Sequence, residues 1–134
     1  MHTLETDWWL LDLPEEWEAE QDEETVVIED EDGVGVIEIT TLETAEPVGR
    51  GELPALACEL LGDHGRGVET QLAGLSGLYF EYVDGDDAVR EWLLEGGELL
   101  LLVSYSCDRE NAGMDADVVD DILSTLELKP RQAE

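Results

Sequence analysis

Leu99 to Val103 is an unbroken run of five apolar residues, set between Gly96-Gly97 and the alternating stretch Ser104-Tyr105-Ser106. A strand with one wet face alternates apolar and polar side chains, so five apolar residues in a row call for a strand covered on both faces. This places Leu99 to Ser106 at the centre of a sheet with packed layers on either side. Leu78 to Val83 and Ala88 to Leu94 are strand-like runs joined across Asp84-Gly85-Asp86-Asp87, and Glu95-Gly96-Gly97-Glu98 leads into the central run. Together they predict a three-stranded antiparallel meander.

Upstream, Trp8 to Leu13 reads as a first strand stopped by Pro14. Thr25 to Glu29 and Val34 to Thr40 are β-branched runs around Asp30-Glu31-Asp32-Gly33, the pattern of a hairpin. Thr41 to Glu52, with Pro47, Gly49 and Gly51, is a loop. Pro54 suits the first turn of a helix running to Leu61 and ended by Gly62, and a short strand is expected around Val68 to Leu72. Near the other end, Val118, Val119, Ile122, Leu123 and Leu126 share one face of a helix from about Asp115 to Leu126, with Asp117, Asp120 and Asp121 opposite. The class is α+β: one domain over residues 1–134, an antiparallel sheet of about six strands flanked by two helices, and a tail from about residue 129.

The order of these elements, with "LPEEW" after a short strand, then "GVGVIEIT", "WLLEGGELLLLVSYSC" and the closing "DVVDDILSTLEL", resembles the Mog1/PsbP-like fold. The resemblance covers most of the chain. It implies an α/β/α sandwich and a non-enzymatic, partner-binding or chaperone-like role.

Charge bounds the surface. Asp and Glu number 36 against six Lys and Arg, a formal net charge of -30. Spread over roughly 7,000 Å² the acids lie about 14 Å apart, beyond the ~8 Å screening length of physiological salt and far beyond the ~3 Å of 1 M salt. In dilute buffer the screening length grows to about 30 Å and exceeds that spacing, so repulsion persists there and fades in brine, as expected of a protein from a salt-accumulating microbe. Direct binding to nucleic acid or to an anionic membrane is disfavoured by the same sign. A DNA mimic, whose carboxylates stand in for phosphates, is the alternative use of such a surface, and Glu15 to Asp32 concentrates acids. No apolar stretch approaches the ~18 residues of a membrane span. The start, Met1-His2-Thr3-Leu4-Glu5, lacks a basic leader, so a cytoplasmic location is expected.

Catalytic groups are sparse. The best constellation is His64 with Asp63 and Cys58, in a Gly-rich loop, and it would define a small hydrolase. Asp84, Asp86 and Glu95 fall at calcium-loop spacing, but Val89 occupies the position that needs glycine. Cys58 and Cys107 read as buried thiols and have no second zinc ligand at finger spacing. No metal and no cofactor is expected.

The tryptophans remain. Trp8 and Trp9 are adjacent in a strand and face opposite sides. Trp92 shares a strand face with Arg90 and Leu94, and Trp17 follows the turn at Pro14. Trp9, Trp17 and Trp92 are the candidate binding residues, because exposed aromatics anchor interfaces. Beside Glu15, Glu16 and Glu18, an exposed Trp9 or Trp17 would suit a basic, partly apolar protein partner.

Overall fold

The computed structural model describes residues 2–31, 35–44, 52–61, 67–96, 99–111, 113 and 116–129. In chain order the elements are β1 (His2–Glu5), β2 (Trp9–Leu13), β3 (Trp17–Asp22), β4 (Thr25–Asp30), β5 (Gly35–Glu43), α1 (Leu53–Leu61), β6 (Val68–Leu72), β7 (Leu75–Asp84), β8 (Asp87–Glu95), β9 (Leu99–Asp108), a 3₁₀ turn (Arg109–Asn111), α2 (Ala116–Ser124) and β10 (Glu127–Leu128). Seven strands form one antiparallel sheet in the order β3-β4-β5-β9-β8-β7-β6, and β1, β2 and β10 form a second sheet. The central strand is β9, as the apolar run predicts.

Each face of the large sheet has its own core. On one face Ile28, Ile37, Ile39, Leu101, Val103, Trp92 and Leu94 pack against Trp9, Leu11 and Leu13 of β2 and against Val119, Ile122, Leu123 and Leu126 of the α2 segment. On the other, Leu78, Phe80, Leu93 and Leu100 are covered by Leu53 and Ala57 of α1. Alternate residues of β9 thus feed opposite cores, which is the physical reason its run is continuous. Gly77 on β7 is needed for this packing, because a Cβ there would collide with the Leu93 carbonyl.

The α+β class holds, but the strands exceed the six expected: ten lie among the described residues. β1 and β10 are short, and both depend on pairing with β2. β3 escaped because only Trp17 and Ala19 mark its inner face, while Glu18, Glu20 and Asp22 alternate with them. Val118 is also corrected. It is 37% exposed at the margin of the α2 stripe. Lys129 belongs to the fold, not to a tail: its N–H donates to the Trp8 carbonyl at 2.9 Å and its Nζ pairs with Glu5 at 2.5 Å. Cys58 is exposed, whereas Cys107 is buried, and both are free thiols.

Candidate functional site

Trp9, Trp17 and Trp92 are 0%, 3% and 4% exposed. All three rings fill the first core, so none serves as an exposed anchor in this fold. The reason is register: each sits on the inward parity of its strand, and Trp9 also donates its indole N–H to the buried Thr41 hydroxyl at 2.9 Å. The half-exposed member of the Trp8–Trp9 pair is Trp8, whose N–H donates to Glu43 Oε1 at 2.6 Å. His64 lies outside the described residues.

Two surfaces remain as sites. The first is the outward face of β3, β4 and β5. Pairing places Glu18 opposite Glu29, Glu20 opposite Val27, and Val27 opposite Glu38. The sheet therefore carries rows Glu18–Glu29–Val36 and Glu20–Val27–Glu38 at a strand spacing of about 4.8 Å. These four glutamates are exposed, while Val27, between Glu20 and Glu38, and Val36, at the end of the other row, are half-buried. At the adjoining end of β3 and β4, Glu15, Glu16, Glu18, Glu29, Asp30 and Glu31 line a hollow of about 440 Å³.

The second is a cleft of about 740 Å³ on the opposite face, at the far end of β7, β8 and β9. Its floor is Ala88, Tyr105 and Cys107, and one wall is Tyr79, Glu81 and Val83. Gly35 on β5 pairs with Cys107, and any side chain there would strike the Tyr105 ring. Arg90 and Arg109 lie in the lining as well, with Tyr82, Val89 and Gly113. The Arg90 guanidinium lies 4.7 Å from the Trp92 ring centroid and 5.5 Å from that of Tyr79. Its Nε donates to Tyr79 Oη and its Nη2 to Asp120 Oδ1, both at 2.8 Å, tying α2 to the sheet. Tyr79 in turn donates to Glu81 Oε2 at 3.0 Å. Nη1 of Arg90 is buried without a partner.

This network sets the titration of its members. Burial pulls the Arg90 pKa down, but the bonds to Tyr79 and Asp120 outweigh it and hold the group above its ordinary value. Burial pushes the Tyr79 hydroxyl up, the Arg90 cation opposes this, and Glu81 adds to it. On the other sheet face, Tyr82 donates to the buried Glu91 carboxylate, and its pKa is raised by desolvation first and by Glu91 second.

The sequence pattern showed Arg90 and Trp92 on one strand face but not the pairs Arg90–Tyr105 and Tyr79–Trp92, which only the sheet register creates. The scarcity of arginine was the signal that could have drawn attention to Arg90 and Arg109. Among the described residues there is no group of three or more His, Cys, Asp or Glu side chains arranged to hold a metal, and no helix long and apolar enough to cross a membrane.

No protein-family signature and no curated protein sequence matches the chain. Solved structures do. A Bacteroides thetaiotaomicron VPI-5482 protein matches with a TM-score of 0.71 at 15% identity over 92% of this chain, which spans 46% of that longer protein. LpqN, involved in cell envelope biogenesis of Mycobacterium tuberculosis, matches with a TM-score of 0.60 at 16% identity, covering 91% of this chain and 83% of LpqN. The cyanobacterial PsbP (CyanoP) of Synechocystis sp. PCC 6803 matches with a TM-score of 0.63 at 11% identity, covering 90% and 86%. The chain adopts the PsbP-like fold.

Proposed function

We propose that the chain is a non-enzymatic protein-binding domain, adaptor or chaperone-like, that holds a basic protein partner on the acidic face of β3, β4 and β5 in a salt-rich cytoplasm. The observation that carries this reading is the pair of carboxylate rows that include half-buried Val27 and Val36. Such a face offers ion pairing at its points and apolar contact in its furrows, and rigid strands keep both in register. A DNA mimic would use the same face, and its mark would be that the partner is itself a nucleic-acid-binding protein. The hydrolase alternative rests on His64 and draws nothing from either surface.

The test is affinity capture with three proteins: the wild type, a face variant (Glu18→Gln, Glu20→Gln, Glu38→Gln) and a control of equal charge change (Asp117→Asn, Asp121→Asn, Glu127→Gln). A specific basic protein retained by wild type and control, lost by the face variant and weakened by added salt, is the expected result. Equal retention by both variants would refute the assignment of this face.

A further inference from the structure

Both arginines among the described residues, Arg90 and Arg109, line a single cleft, in a chain with 36 acidic and six basic side chains. We propose that this cleft is a second site, distinct from the acidic face, which binds a small organic carboxylate carried on an aromatic or aliphatic body. Its volume of about 740 Å³ lies within the roughly 300–1,000 Å³ of small-molecule sites.

The cleft has three parts. Ala88, Tyr105 and Cys107 form an apolar and aromatic floor on which such a body lies. Arg109 is exposed and makes no ion pair with any described residue, so its guanidinium is available to a carboxylate as a two-pronged donor. Arg90 is already fixed by Tyr79, Asp120 and Trp92, and its Nη1 is buried with no acceptor. Arg90 therefore contributes a fixed positive charge beside the floor, while the direct contact to the carboxylate falls to Arg109. Arg90 stands opposite Tyr105, and Arg109 follows four residues further along. The strand ends at Asp108 and Arg109 opens the 3₁₀ turn, which sets the two cations apart along the cleft.

The surrounding field makes the site testable by sign. Glu81 lines the cleft, and Asp86, Asp108 and Glu110 share a neighbouring hollow with Arg109. These acids and the net charge repel an incoming carboxylate over distances that salt screens, whereas the contact with Arg109 is short. Carboxylate binding therefore strengthens as salt rises, opposite to capture of a basic protein by an acidic face.

The experiment titrates the full chain with N-acetylphenylalanine, with its neutral amide, and with a short N-acetylated peptide of uncharged side chains that ends in a free phenylalanine carboxylate, by calorimetry at about 0.1 M and about 1 M KCl. The acid is expected to bind at least about tenfold tighter than the amide at high salt, and tighter there than at low salt. Arg109→Gln, an exposed substitution, should bring the acid down to the level of the amide. If the peptide binds as well as the acid, the carboxylate is that of a polypeptide end; if it binds more weakly, the ligand is a small acid. Equal binding of acid and amide, no binding of either in the millimolar range, or an unchanged Arg109→Gln variant would overturn the proposal. The face variant leaves these titrations unaffected, so failure here and failure of the partner assignment are separate events.

Discussion

Trp9 illustrates how a side chain that invites a binding role can be committed to the core. Its ring is wholly buried, and its one polar atom donates to Thr41, itself 1% exposed. Replacing it by Phe removes ring volume and orphans the Thr41 hydroxyl, at an expected cost of about 2–4 kcal/mol. Thr41→Val leaves the indole N–H unpaired and should cost about 1–3 kcal/mol. Urea melts at constant high salt measure both. Tyr82 gives a residue-level prediction in pH. Its neutral form is favoured by desolvation and by the bond to Glu91, so the folded pKa lies above the ordinary value of 10.0. The folded state then holds its proton where the unfolded chain releases it. The resulting stability is fully present below pH about 10 and is lost as pH rises beyond it. Tyr82→Phe should flatten that alkaline decline, and an unchanged decline would show that other groups cause it.

At the scale of elements, turns and pairings carry the predictions. The β6–β7 turn places Ala73 at φ 53° and Gly74 at φ 82°. Both belong to the left-handed region that a two-residue hairpin turn requires, and Ala tolerates it poorly. Ala73→Gly or Ala73→Asn should raise stability by about 0.5–1 kcal/mol, read as a shift in urea midpoint. On β3 and β4, Glu18 and Glu29 face one another directly, an arrangement in which like charges repel. Glu18→Lys should stabilise by about 0.5–1 kcal/mol in dilute buffer, and the gain should shrink near 1 M salt. The same strand shows where the sequence was hard to read. The meander, the central strand and the two helices were legible because apolar runs or a helical stripe dominate them. β3 was not, because acids fill every outward position and only Trp17 and Ala19 face in. The cleft was illegible for another reason: Tyr79, Arg90, Tyr105 and Arg109 come together only through the register of three strands and a turn.

For the whole molecule, charge and fold act in opposition. Two cores hold the sheet from both sides, while a net charge of -30 favours expansion. Thermal midpoints should therefore climb between dilute buffer and about 1 M salt as the screening length falls to ~3 Å; a flat profile would show that repulsion does not limit this fold. The central claim, that the β3–β5 face is where a protein partner sits, is tested most directly by site-specific photo-crosslinking. A benzophenone side chain is placed at Glu20 on that face and, in a separate protein, at the exposed Val68 on the far edge strand β6. In native lysate a discrete protein adduct is expected from position 20 and none from position 68. Adducts from position 68 alone, or in equal yield from both, would contradict it.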